Sequence, residues 1–376
     1  MFSLHVDTAR TWRGGQNQVL LTVLGLRARG HRAALVAHPG GELRRRAAEG
    51  PDLLPLAPRT EMDLRAAWKL SRLLRQLQPD VVHAHDAHGV AMTALALSLG
   101  GSALHSRFLA TRRVDFHIGK NAFSRWKYRQ VERFICVSSA IRRMLISDGI
   151  PADRTILIYD GIDLERVSAA PPLNVHKEFW LPHKAPVVGN VAALVPHKGQ
   201  RYLVDAVALV LQRVPDARFL IVGEGELEGA LQRQIKRLHL EKHVVLTGFR
   251  PDALSLHKSF DLFVMSSVTE GLGTSTLDAM ACGRPVVATR AGGLSEVVVD
   301  GDTGLLVPIR DPAALAEGIS RLLEDPALRD RYGKGALTRA GAMFSADRMV
   351  DETLLAYDHL VDTDRGADTV RRAAAD

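Results

Sequence analysis

Short apolar runs alternate with helix-length segments along this chain, and the pattern occurs twice. Phe2 to Val6, Ala33 to Ala37, Val81 to His83, Leu104 to Ala110 and Phe134 to Val137 read as buried strands of a first series. Val187 to Ala192, Arg218 to Val222, Val244 to Thr247, Leu262 to Met265 and Val286 to Thr289 form a second. Helices separate them, among them Asn17 to Arg29, closed by Gly30, and a helix capped by Ser138 or Ser139 that runs to Ile146. Strands joined through helices pair in parallel. Two such series in 376 residues predict an α/β chain with two Rossmann-like domains. Ala169-Ala170-Pro171-Pro172 reads as a linker. The expected boundaries are a first domain over 1–168, a second over 173–345, a helix over 346–362 and a frayed tail over 363–376.

The second series holds the densest cluster of chemistry. Glu270 precedes Gly271-Leu272-Gly273, whose backbone can approach a ligand closely, and Asp278 follows eight positions after Glu270. Thr274, Ser275 and Thr276 are natural N-caps, so a helix is expected to start there, and its free N–H groups form an anion site. Phosphate at the helix start with hydroxyls on the two acids is an arrangement for a nucleotide sugar. In the first series, Arg13-Gly14-Gly15-Gln16 reads as a glycine loop before a helix, a usual place for phosphate. Gly223 and Gly225 open a helix after a strand, but the third glycine, Gly229, falls one residue late for a dinucleotide fingerprint.

Residues 266–299 resemble the donor-binding segment of the retaining glycosyltransferases of family 4, which have the GT-B fold. The family pattern is Glu-Gly-Phe-Gly, a second Glu eight residues after the first, then Ala-Met-Ala-x-Gly-x-Pro. Here it stands as Glu270-Gly271-Leu272-Gly273, then Asp278-Ala279-Met280-Ala281-Cys282-Gly283-Arg284-Pro285, with Asp278 in place of Glu. The resemblance covers nearly the whole chain in the right order. It implies two Rossmann-like domains facing a cleft, with the C-terminal helix crossing back to the first domain. Lys198 matches the lysine of Gly-Arg-Leu-x-x-x-Lys-Gly, whereas Ala193 replaces its arginine. Asp160-Gly161-Ile162-Asp163 matches Asn-Gly-Val-Asp, with Asp160 for Asn. Family members often carry a His near the position of Arg112 and Arg113, one of which is expected to reach the donor phosphate or an anionic acceptor; a surface pair is the alternative.

The resemblance implies that Lys198 and Glu270 carry the reaction, and Arg113 and Arg112 are expected to join them in place of the family's histidine. It places the donor against Gly14, Gly15, Gly223, Phe249, Gly271, Leu272, Gly273, Thr274, Ser275 and Asp278. His85 and Asp86 are expected on the acceptor side. His83 and His85 share one strand face, which also fits a zinc site or satisfied structural histidines. The resemblance implies no metal and no cofactor beyond the nucleotide-diphosphate sugar as co-substrate. A catalytically weak sugar-nucleotide-binding scaffold and a nucleotide-sugar epimerase are the rival readings, the former because of Ala193 and Asp278.

Charge sets the expected surroundings. The net charge is +7, and residues 101–150 hold ten Lys/Arg against three acids, which accounts for all of it. Within them Phe123-Ser124-Arg125-Trp126-Lys127-Tyr128-Arg129 interleaves aromatics with cations. This fits an element meeting anionic lipid, or a solvated helix face with a buried aromatic seam; no nucleic-acid module accompanies it, so nucleic acid is not an expected partner. No apolar run approaches the ~20 residues that span a bilayer, and Met1 to Asp7 shows no signal peptide. Cys136 and Cys282 read as reduced, buried thiols of a cytosolic protein. The expected enzyme is a cytoplasmic, hexosyl-type transferase, peripheral on the inner face of the membrane, that acts on a glycan or glycolipid acceptor in lipopolysaccharide or other envelope synthesis.

Overall fold

A computed structural model describes residues 1–47 and 52–373. The chain divides into two compact units, Met1–Gly161 with Ala346–Asp376, and Ile162–Ser345. Residues 162–168, expected in the first domain, therefore belong to the second unit. Ile162 N–H donates to Phe344 O, and the helix Leu164–Ala169 packs on the helix Thr274–Ala281.

The first unit is one parallel sheet of β1 (Phe2–Asp7), β2 (Arg32–Ala37), β3 (Asp52–Pro55), β4 (Val81–Ala84), β5 (Arg107–Arg112), β6 (Arg133–Cys136) and β7 (Thr155–Leu157), in the order β3-β2-β1-β4-β5-β6-β7. Every strand is at least partly covered on both faces, which is why the strands read as continuous apolar runs. The expected strand from Leu104 starts instead at Arg107, because Gly101–Ala103 forms a 3-10 turn. The glycines Gly14 and Gly15 lie inside the first turn of the helix Gly14–Ala28 rather than in a loop before it. Asp63 and Asp86 cap the helices Leu64–Leu77 and Ala87–Gly100 with their side chains.

The C-terminal helix, Ala346–Ala373, is part of this first unit. Met349, Val350, Tyr357 and Leu360 are buried in the same core as Val19, Val23 and Leu35. The helix continues past residue 362, where a frayed tail was expected; Ala374 to Asp376 lie outside the described residues.

The second unit is a parallel sheet of β8 (Val187–Val191), β9 (Arg218–Val222), β10 (Val244–Gly248), β11 (Leu262–Met265), β12 (Val286–Thr289) and β13 (Gly304–Val307), ordered β10-β9-β8-β11-β12-β13. The strand order reverses between β8 and β11 here, and between β1 and β4 in the first unit. Open parallel sheets bind ligands beyond the carboxyl ends of the strands at such reversals. Each unit therefore has its own predicted ligand edge.

Candidate functional site

In the second unit the loops after β8 and β11 meet at the strand-order reversal. Val268 N–H donates to His197 O at 2.7 Å, and Ser266 Oγ donates to Lys198 O at 3.1 Å. Gly199 holds a left-handed φ of 66°, and a Cβ there would lie 2.2 Å from Ser266 O, so only glycine lets the loops close. This places Lys198 Nζ 2.5 Å from Glu270 Oε2. Ser267 Oγ donates to the same oxygen at 3.0 Å. Glu270 Oε1 has no hydrogen-bond partner among the described residues.

The helix Thr274–Ala281 starts directly after this loop. A hydroxyl cap from Thr274, Ser275 or Thr276 was expected, but Gly273, at φ 94°, takes the cap position and offers no side chain. The N–H groups of Thr274 and Ser275 are consequently open among the described residues, and Thr276 Oγ1 is buried without a partner. Such a start attracts an anion.

Asp278 sits one turn along this helix, half-buried, and its carboxylate has no hydrogen-bond partner among the described residues. Burial pushes its carboxyl up to about 7, and the charge of Arg166 opposes that rise. Gly271, Leu272 and Gly273 are all buried, and Leu272 packs into the interior rather than presenting its side chain to a ligand. Gly223 lets the end of β9 approach β8, since a Cβ there would be 2.1 Å from Ala192 O. Phe249, after β10, is about half-exposed. Ala193 takes part through its carbonyl, which accepts from Gln200 Nε2 at 3.0 Å.

In the first unit the strand ends at the reversal carry Asp7 as the last residue of β1, His85 and Asp86 after β4, and Arg113 after β5. Arg113 Nε donates to Asp160 Oδ1 at 2.9 Å, and its Nη1 donates to His85 Nδ1 at 3.2 Å. A Cβ on Gly15 would lie 3.6 Å from Arg113 Cδ, so this arginine runs beside the start of the helix Gly14–Ala28. Arg112 points elsewhere, donating to Tyr128 Oη and to Phe116 O, so the two arginines expected to share one role are separated. Asp86 accepts from Thr8 Oγ1 at 2.9 Å and from Gly89 N–H at 2.9 Å, a capping contact. Burial, reinforced by Asp86, pushes the Asp7 carboxyl up to about 6. Burial outweighs Arg113 in raising the Asp160 carboxyl.

Three histidines meet here. His5 on β1 pairs in register with His83 on β4, and His85 stacks on His5 and lies tilted against His83. One ring nitrogen from each lies within 4.8 Å of the others, a spacing that could hold a metal ion. The sequence supplied only His83 and His85; His5 comes from a neighbouring strand. All six ring nitrogens are hydrogen-bonded, to Ser3, Tyr357, Thr111, Arg113 and each other, and a guanidinium lies alongside. A cation would have to displace those bonds beside a fixed positive charge, so the donor set fits neutral, mutually bonded histidines better than a metal.

Cys136 and Cys282 are buried, and burial pushes both thiols up to about 12, which leaves them inert at neutral pH. The aromatic and cationic run 123–129 turns largely inward. Tyr128 and Lys127 are buried, Lys127 Nζ pairs with Glu61 at 2.8 Å, and Phe123 stacks on Trp126. The buried-seam reading of that segment holds.

Two doubly wound parallel sheets, with the C-terminal helix returning to the first unit, define the GT-B fold. The structure of Anabaena HepE in complex with UDP-glucose superposes with a TM-score of 0.82 at 24% identity, over 95% of this chain and 100% of that one. The model for Glycosyltransferase Family 4 matches residues 12–166, and that for Glycosyl transferases group 1 matches 174–339. The D-inositol 3-phosphate glycosyltransferase of an Arthrobacter species is 31% identical over 77% of this chain and 73% of its own. The lipopolysaccharide core biosynthesis glycosyltransferase LpsD of Rhizobium meliloti is 28% identical over 77% and 78%. The chain belongs to glycosyltransferase family 4.

Proposed function

We propose that the protein transfers a hexosyl group, with retention and without a metal, from a nucleotide-diphosphate sugar to a glycan or glycolipid of the cell envelope. The observation that carries this reading is the Lys198–Glu270 pair beside the open start of the helix Thr274–Ala281. As the anomeric bond breaks, negative charge grows on the departing phosphate. Lys198 and the N–H groups of Thr274 and Ser275 are oriented to receive it. Glu270 Oε1 is left to hold a donor-sugar hydroxyl, and Asp278 a ribose hydroxyl. Retention would proceed on one face, with the leaving phosphate drawing the acceptor proton, so no side-chain nucleophile is needed.

The name of one relative supports the envelope assignment, and the ligand of one structural neighbour supports the nucleotide-sugar donor. LpsD is described as acting in lipopolysaccharide core biosynthesis, and HepE was solved with UDP-glucose.

A surface on the first unit supports attachment to the cytoplasmic face of a membrane. The helix Leu64–Leu77 carries Arg65, Lys69, Arg72 and Arg75 and no carboxylate. Met62, Leu64 and Trp68 are exposed by 64%, 62% and 56%. The Arg72 guanidinium lies 5.1 Å from the Trp68 ring centre. Apolar side chains among cations match an anionic lipid surface, the adjacent carboxylates being engaged, Glu61 with Lys127 and Asp63 at the helix cap. No described helix is long and apolar enough to cross a membrane.

A thermal-shift panel of UDP-, GDP- and ADP-sugars tests the donor, since a ligand at 100 times its Kd adds about 2.7 kcal/mol. Transfer from the active donor should survive EDTA, and the product should keep the donor's anomeric configuration by NMR. No shift with any nucleotide sugar would overturn the reading.

A further inference from the structure

We propose that Arg113, His85, His5 and Ser3 form a one-way hydrogen-bond relay that, with Asp160, positions the Arg113 guanidinium for substrate. The inference rests on reading Arg113 as the cation with which the first unit meets an anionic group of donor or acceptor. His85, His5 and Asp160 are then positioning residues, removed from the reacting atoms.

The direction of the relay follows from chemistry. A guanidinium only donates. Arg113 Nη1 is 3.2 Å from His85 Nδ1, so that nitrogen is the acceptor. A neutral His85 then carries its proton on Nε2, which lies 3.0 Å from His5 Nδ1. His5 Nδ1 must accept, so its proton is on Nε2, 3.0 Å from Ser3 Oγ. Each tautomer is imposed by the previous one. Protonating His85 at Nδ1 would face one N–H against another.

The surroundings keep the chain neutral. His5, His83 and His85 are buried, and burial together with Arg113 holds all three well below the ordinary histidine range. His83 is the wedge. Its two nitrogens are taken by Tyr357 Oη and Thr111 Oγ1, and its ring lies 4.0 Å from that of His85.

Two edges of Arg113 are thereby used, Nε on Asp160 and Nη1 on His85. Nη2 has no hydrogen-bond partner among the described residues. A side chain with several rotatable bonds is left with one fixed donor edge, and little ordering remains to be done when an anion arrives. The sequence bears a trace of the device. Arg113 stands near the family's histidine, and Asp160 stands where the family pattern has Asn. The structure shows these two departures as one ion pair, with side chains 13% and 5% exposed.

The test has an arm independent of activity. Long-range proton–nitrogen NMR of the wild type at neutral pH should show His5 and His85 neutral and protonated at Nε2. A proton on Nδ1 of either, or a cationic ring, overturns the relay. The second arm compares His5→Asn, whose Oδ1 still accepts from His85, with His5→Leu, which does not. Turnover is read on UDP-glucose, GDP-mannose or ADP-glucose, whichever the wild type uses. In His5→Leu, kcat should fall about tenfold with KM for the donor nearly unchanged, and the Arg113 guanidinium N–H signals should broaden. In His5→Asn both should stay close to wild type. Equal losses in the two variants would make His5 merely structural and overturn the positioning role. Should His5→Leu not fold, His85→Asn against His85→Leu makes the same comparison one link nearer Arg113. A normal kcat in Arg113→Ala with the tautomers intact would leave a relay that serves no substrate, and the reading of Arg113 as the substrate cation falls alone.

Discussion

Lys198 Nζ rests 2.5 Å from Glu270 Oε2, joining residues 72 positions apart across the strand-order reversal of the second unit. The two side chains are only 18% and 11% exposed. Such a pair costs desolvation that its own attraction barely offsets. It fixes Lys198 beside Glu270 and leaves Glu270 Oε1 without a partner among the described residues. In the proposed transfer the pair would orient both ends of a donor, its phosphate and its sugar.

Lys198→Ala should lower kcat by about 10²-fold, as the loss of one preorganised charge donor does. Glu270→Gln should also impair transfer. Because each residue positions the other, the double variant should lose much less than the product of the single losses, with a coupling of about 0.5–3 kcal/mol. Steady-state kinetics of the four proteins measures it. Strictly additive losses would mean that the ion pair has no part in the reaction.

Asp278 gives a pH signature. Burial pushes its carboxyl up to about 7 in the folded protein, well above the ordinary aspartate value of 3.8. Ionisation therefore comes as pH rises through about 7, and the ionised form is the better acceptor for a ribose hydroxyl. The affinity for a nucleoside diphosphate should increase from about pH 6 to about pH 8, and Asp278→Asn should flatten that rise. Calorimetric titration at several pH values checks it. The same rise in the Asn variant would place the titrating group elsewhere.

How far the sequence reaches can be seen residue by residue. The strands of the second unit from Arg218–Val222, Leu262–Met265 and Val286–Thr289 coincide with the apolar runs, because strands buried on both faces leave continuous hydrophobic signals. β3, β7 and β13 escaped notice. They are edge strands of three or four residues with part-exposed residues, and their runs are too short to stand out. Lys198 and Glu270 were legible as separate motifs, whereas their contact was not, because the pairing of β8 with β11 decides it. His5 is the clearest omission. One histidine in an apolar strand carries no signal until strand register sets it opposite His83. Arg166 was missed for a related reason. It lies beyond the first unit, on a short helix that packs against the helix bearing Asp278. The aromatic run 123–129 misled in the opposite way: composition showed its residues, but not which of them face inward.

The lipid-facing surface should therefore map to the helix Leu64–Leu77 rather than to 122–129. Sedimentation with anionic vesicles at low salt should retain the protein, and added salt should release it. Replacing Arg65, Lys69 and Arg72 by Ala should weaken binding by about 10²-fold, at about 1 kcal/mol per cation. Trp68→Ala should weaken binding to neutral and anionic vesicles alike. Replacing Arg125 and Arg129 should matter less. The reverse order of effects would return the surface to the later helix.

Acid stability offers a test at a buried histidine of the second unit. His257 is fully buried, both its ring nitrogens lack partners among the described residues, and its ring packs on Phe260 and Phe263 at 5.8 Å and 5.0 Å. Burial lowers it to about 3 from 6.5. The folded protein thus binds fewer protons at this site than the unfolded chain between those values. The stability that comes from a neutral His257 is complete above about pH 6.5 and is lost as pH falls toward about 3. His5, His83 and His85 act in the same sense. Asp7, Asp86, Asp160 and Asp278, whose carboxyls are raised, act in the opposite sense, so the whole-protein curve mixes the two groups. Comparing wild type with His257→Phe isolates one site. The ring volume is nearly kept, and two unpaired buried nitrogens disappear. The variant should be more stable by about 1–3 kcal/mol at neutral pH, and its advantage should widen as pH drops below 6.5. Urea unfolding at a series of pH values measures that gap. A gap that stays constant with pH would show that His257 titrates alike in the folded and unfolded chain, and that its pocket is not the dry, apolar site described above.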